Sequence, residues 1–179
     1  MKKTITVFGS SFPKPGDEEY ILAYKLGRFL GESNFNVCSG GYRGIMDAVS
    51  KGVTETGGEA IGITVDLYNV KPSENLTKEI KCNSLFERIE KLIDTGDGYI
   101  ILPGGTGTLV ELAVVWEFMN KNMMNSKPVA CIGDFWREVV KSIDERMKFE
   151  GRRTGLVKLF NGIEETVEFM KDYFRNMDE

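Results

Sequence analysis

The segment Pro103-Gly104-Gly105-Thr106-Gly107-Thr108-Leu109-Val110-Glu111 carries the residues best suited to chemistry. It runs from a short hydrophobic stretch at residues 98–102 directly into a run with helical spacing. Glycines there let backbone amides come close to an anion, and a helix N-terminus adds free N–H groups and a positive dipole end. The chemistry this fits is phosphate binding on backbone, by Gly104, Gly105, Thr106, Gly107 and Thr108. No Gly-Lys-Ser/Thr follows, so the turn is not a P-loop. Val110 stands where a dinucleotide fingerprint needs its third glycine, and the acidic residue after the next strand is missing. Both features argue against a dinucleotide-dependent oxidoreductase.

Two charged residues invite a role beside that turn. Glu111 lies one turn into the expected helix and faces the mouth of the phosphate turn, where a carboxylate serves catalysis. Thr108-x-x-Glu111 also spells a capping box, in which the glutamate reaches back to the first helix amide. Both readings stand at this point. Arg88 falls three residues after Leu85 and four before Leu92. That is near the apolar face of a helix, an expensive place for a guanidinium with no anion to meet. The plainer alternative is a surface arginine paired with Glu87. Arg43, in a second glycine turn, is either a phosphate ligand or a solvated loop residue.

The elements that must position these residues alternate along the chain. Strands are expected at 4–9, 35–39, 58–65, 98–102 and 128–132. Helices are expected at 18–33, 44–56, 85–95, 108–120, about 136–149 and about 163–176, with a long loop at 66–77. Short apolar strands alternating with helices predict βαβ units. The fold class is therefore α/β: one Rossmann-like, doubly wound domain over residues 1–179, its mostly parallel sheet covered by helices on both faces. Such sheets bind ligands beyond the carboxyl ends of their strands, at the switch point in strand order. Glycine turns follow three of the strands, at Gly9-Ser10-Ser11, Gly40-Gly41-Tyr42-Arg43-Gly44 and Gly104 to Thr108. They should meet at one sheet edge and form the site, with Ser10, Gly40 and Gly41 joining the third turn around a phosphate.

Composition narrows the chemistry further. The 179 residues include no histidine, which excludes Ser-His-Asp and Cys-His mechanisms and His-based metal sites. Three scattered cysteines without CxxC spacing fit a reducing cytosol and no zinc site, so the expected location is cytoplasmic. A net charge of -4 with no Lys/Arg run longer than two disfavours polymeric nucleic acid as a partner. No stretch approaches the roughly 20 apolar residues of a membrane span. Apolar residues cover much of the helix from Thr108, including Val114, Val115, Trp116, Phe118 and Met119, which predicts at least a homodimer.

These motifs resemble those of the LOG family, the cytokinin riboside 5'-monophosphate phosphoribohydrolases once labelled lysine decarboxylases. PGGTGTLVE at 103–111 matches the family's PGGxGTxxE throughout, and SGGYRGIMD at 39–47 is similar to its GGGxxGLMG, with Ser39 and Asp47 in place of glycines. Arg88 lies where the family carries the arginine of its second signature. Ile89 replaces the usual following lysine, and Val110 replaces a residue that is often acidic. The resemblance implies that Arg88 and Glu111 are the catalytic pair and that the reaction is hydrolysis of the N-glycosidic bond of a nucleoside 5'-monophosphate. Neither metal nor cofactor is then required, and a homodimer is implied. A related branch carries molybdenum cofactor, so the alternative is a non-catalytic nucleotide or molybdenum-cofactor carrier. The older decarboxylase label fails on residues: no lysine lies in the three glycine turns, and the chain is too short for a pyridoxal-phosphate decarboxylase.

Overall fold

A computed structural model describes residues 2–66 and 70–177. The elements run β1 (Thr4–Phe8), α1 (Glu18–Glu32), β2 (Asn36–Ser39), α2 (Ile45–Thr54), β3 (Ala60–Val65), β4 (Lys78–Cys82), α3 (Leu85–Thr95), β5 (Gly98–Ile101), α4 (Thr106–Asn120), β6 (Val129–Ile132), α5 (Arg137–Phe149), β7 (Val157–Phe160) and α6 (Ile163–Arg175). The strands β1, β2, β3, β5 and β6 are short apolar runs buried along nearly their whole length. Such runs are stable only with helices on both faces.

The seven strands form one sheet in the order β4-β3-β2-β1-β5-β6-β7, every pair parallel. From β1 the chain builds outward to β4, then returns to place β5 on the other side of β1. The switch point therefore lies between β1 and β5, as expected of a doubly wound sheet. Leu26 and Leu30 of α1, Val49 and Val53 of α2, and Met170 of α6 pack one sheet face. Leu92 of α3, Leu112 and Val115 of α4, and Val140 of α5 pack the other.

Two strands escape the sequence reading. β4 reads Lys-Glu-Ile-Lys-Cys and is mostly exposed, and β7 carries an exposed Lys158. Both are sheet edges, where charged side chains block further pairing and erase the apolar signal. The loop expected at 66–77 ends where β4 begins, and its residues 67–69 lie outside the described residues. α4 starts at Thr106 with Gly105 as its N-cap, not at Thr108, and no side chain caps it. The Thr108–Glu111 capping box is accordingly not formed.

α1 and α2 cross at glycines. A methyl on Gly27 would lie 3.0 Å from the carbonyl carbon of Val49 and 3.0 Å from the amide of Val53, with the Val49 oxygen nearer still. Alanine is the better helix former by about 1 kcal/mol, but overpacking between two backbones costs about 1–3 kcal/mol. Gly27→Ala should therefore melt earlier than wild type, by about 2–4 °C for each kcal/mol of net loss. A circular-dichroism melt that moves upward instead would show that the helices part freely.

Candidate active-site cleft

Three turns close on one another at the switch point through Ser10. Its amide donates to Pro103 O at 3.0 Å, and its carbonyl accepts from the Ile45 amide at 2.9 Å. One residue after β1 thus ties the turn before α4 to the start of α2. Leu102 locks the same corner: its amide donates to Phe8 O, and its carbonyl accepts from Trp136 Nε1 at 3.0 Å. Gly44 has a φ of +67° and a hypothetical Cβ 2.7 Å from Ser11 Cα, so only glycine fits there.

The turns enclose a cleft of about 600 Å³, within the range of small-ligand sites. Ser10, Gly40, Gly105, Thr106, Gly107 and Thr108 line it, as do Arg88 and Glu111. Two glycines expected there, Gly41 and Gly104, are not among the lining residues. Gly41 packs on Gly62, where a Cβ would come within 2.9 Å of its Cα, and Gly104 packs against the Thr108 hydroxyl and the Ser10 amide. These two shape the turns without lining the cleft. Because α4 lacks a side-chain cap, its opening amides at Thr106 to Thr108 keep their donor capacity, and the helix dipole adds positive potential.

Arg88 is not the surface residue that pairing with Glu87 would make it. Ser84 caps α3, accepting from the Glu87 amide, while the Glu87 carboxylate accepts from the Asn83 amide. Arg88 instead turns inward and is 6% exposed. Its Nε donates to Ile63 O at 2.8 Å and its Nη2 to Gly40 O at 3.3 Å, while Nη1 lies 3.5 Å from Glu111 Oε1. The guanidinium carbon sits 5.9 Å from the centre of the Tyr42 ring. A buried guanidinium is stable only with such partners. Burial pushes the Glu111 carboxyl up to about 7, with the Arg88 charge opposing. The cleft floor therefore holds a carboxyl that changes protonation near neutral pH.

Tyr42, Met46, Arg43 and Val70 also line the cleft. The Gly-Gly-Tyr-Arg-Gly motif signalled the first and third of these. Nothing in the sequence signals Val70, which reaches the wall from a loop tied down at long range: Ser73 N donates to Gly41 O, and Asp47 accepts from Ser73, Asn75 and Tyr20. Among the described residues no group of three or more Cys, Asp or Glu side chains is placed to hold a metal ion.

The raised Glu111 pKa has a definite consequence. The folded protein keeps a proton that the unfolded chain, with an ordinary value of 4.5, releases, so this group lowers stability as pH rises from 4.5 to about 7. Glu111→Gln mimics the protonated form. Its melting temperature relative to wild type should therefore rise between about pH 5 and about pH 8. A difference that stays constant across that range contradicts the burial argument.

Comparison with known proteins places this arrangement. Over 148 residues the chain is 27% identical to the cytokinin riboside 5'-monophosphate phosphoribohydrolase of Rhodococcoides fascians, covering 79% of this chain and 74% of that one. It is 31% identical over 105 residues to the pyrimidine/purine nucleotide 5'-monophosphate nucleosidase of Escherichia coli K12, covering 54% of this chain but 23% of that protein. The molybdenum cofactor carrier protein of Chlamydomonas reinhardtii shares the fold, with a TM-score of 0.79, 20% identity, and coverage of 98% and 99% of the two chains. No helix among the described residues is long and apolar enough to cross a membrane. The family model for SLOG cluster 4 matches residues 2–155, and the chain belongs to that family.

Proposed function

We propose that this protein binds a small phosphorylated molecule of the nucleotide or molybdenum-cofactor kind and holds it without turnover. The observation that carries this reading is the uncapped N-terminus of α4, whose first amides open onto the cleft. A phosphate there satisfies N–H groups that otherwise need water, and it meets the positive end of the helix dipole. The Arg88–Glu111 pair favours holding over chemistry. The two groups already face one another, and burial shifts Glu111 toward its neutral form. A neutral carboxyl gives little stabilisation to a developing sugar cation. The shared fold of the Chlamydomonas carrier is consistent with the reading.

A second reading rests on the same carboxyl. A group titrating at about 7 suits general-acid catalysis, and protonated Glu111 would assist departure of the base from a nucleoside 5'-monophosphate. Two curated relatives are named for that class of reaction. Calorimetry with AMP and with adenosine, followed by chromatography of the AMP mixtures for free adenine, separates the readings. We expect AMP to bind and adenosine to bind at least about tenfold more weakly, with no adenine released. Adenine release that Glu111→Gln abolishes while leaving AMP binding intact would establish the hydrolase instead. Failure to bind any nucleoside monophosphate or molybdenum cofactor would defeat both.

We also propose a homodimer formed through the α3–α4 face. Val115, Trp116 and Met119 of α4 turn into the core, yet Leu109 and Val110 remain about half exposed, and α3 presents Phe86 at 86% exposure on the same side of the sheet. Apolar and aromatic surface of this kind is typical of interfaces. Light scattering should give twice the chain mass of 20.1 kDa. Leu109→Glu should shift the protein toward monomer, and a wild type that is already monomeric would refute the proposal.

A further inference from the structure

We propose that Arg43, rather than Arg88, is the cation that reads the ligand's phosphate. The inference rests on the phosphorylated-ligand reading above and assigns the specificity within it. The chain has eight arginines. Seven have a hydrogen-bond or ion-pair partner: Arg28 with Glu32, Arg88 with Glu111, Arg137 with Asp134, Arg146 and Arg152 with Glu150, Arg153 with Met119 O, and Arg175 with Asp172. Arg43 alone has none among the described residues. It is exposed, and it lines the cleft.

Charge accounting in the cleft leads to the same residue. The charged side chains of the lining are Arg43, Arg88 and Glu111. Arg88 is already held by the protein: it faces Glu111 at 3.5 Å, and two of its nitrogens are committed to the carbonyls of Ile63 and Gly40. On a protein whose net charge is -4, Arg43 is the charged lining residue with no such partner among the described residues. That charge and the N-terminus of α4 make the cleft a local anion trap in an otherwise acidic surface.

The backbone under Arg43 is fixed before any ligand arrives. The turn begins at Gly41, with φ +76° and a carbonyl that accepts from Ser73 N, and ends at Gly44, with φ +67°. The Tyr42 hydroxyl bridges to the backbone of Val65, donating to its carbonyl at 2.6 Å and accepting from its amide at 2.7 Å. Binding therefore has to order only the Arg43 side chain, whose planar fork matches phosphate oxygens. Strand spacing sets the reach. The turns after β2 and β5 flank β1 and lie two strand spacings apart, about 10 Å. A long side chain from one turn and backbone amides from the other can thus meet on one phosphate between them.

The test uses the intact protein, with AMP and adenosine as probes, and Arg43→Gln and Arg43→Lys as variants. Arg43 is exposed and makes no hydrogen bond or ion pair among the described residues, so both variants should melt with wild type, which separates this role from a structural one. Arg43→Gln should bind AMP about tenfold or more weakly at low salt and lose most of the salt dependence of AMP affinity. Arg43→Lys should fall between, since it keeps charge without the fork. Adenosine affinity should not move in either variant. If Arg43→Gln binds AMP as wild type does, the assignment is overturned while the phosphate-binding reading survives. If wild type binds neither AMP nor any other phosphorylated probe, that reading fails and the assignment falls with it.

Discussion

Arg88 carries a full charge into a site where it is 6% exposed, and the cleft floor is built around keeping that charge satisfied. Its Nε requires the carbonyl at Ile63, near the end of β3, and its Nη2 requires the one at Gly40, just after β2. The turn after β2 must therefore present an oxygen inward, which the left-handed backbone at Gly41 permits. Its Nη1 requires an anion, and Glu111 supplies it from the first half of α4. Removing one partner of a guanidinium so placed leaves a buried charge without its compensation. The same contacts fix Gly40 against Arg88: a Cβ at that position would strike the guanidinium.

The pair divides the cleft into two electrostatic regions. Around Arg88 and Glu111 the groups are largely buried and face one another, and burial pushes the carboxyl toward its neutral form. Toward the mouth, Arg43 and the opening amides of α4 are positive, and among the described residues no side chain caps those amides or pairs with Arg43. A ligand with an anionic end and an apolar or weakly polar body matches that division. The SLOG cluster 4 family includes this chain, and its fold is shared by proteins named as carriers and by relatives named as hydrolases.

The sheet and most of the site were legible because their signals are local. The strand at Gly98–Ile101 followed by Gly104 to Thr108 announces a glycine turn leading from a strand into a helix, and the apolar runs at β1, β2 and β3 announce a buried parallel sheet. What the sequence hid depends on contacts far apart in the chain. Capping and catalysis compete for Glu111 in the sequence; the start of α4 at Thr106 removes the first, and the 3.5 Å approach of Arg88 comes from 23 positions earlier. Gly41 and Gly104, expected as ligand contacts, also let the backbone pack, and that need comes from residues far away in the chain or across the turn. Val70 reaches the cleft wall through a loop that Asp47 pins from α2, at one of the positions where this chain departs from the glycine of the resembled motif. Edge strands β4 and β7 stayed hidden because their charged residues suit an exposed edge and not a periodicity.

A crystal structure of the protein grown with AMP tests the central claim most directly. The account predicts phosphate oxygens within hydrogen-bonding distance of the amides of Thr106, Gly107 and Thr108, with the Arg43 guanidinium drawn onto the same phosphate and the Arg88–Glu111 pair unbroken beneath the sugar. Nucleotide bound with its phosphate away from α4, or with Arg88 released from Glu111 to take the phosphate while Arg43 points into solvent, would contradict it.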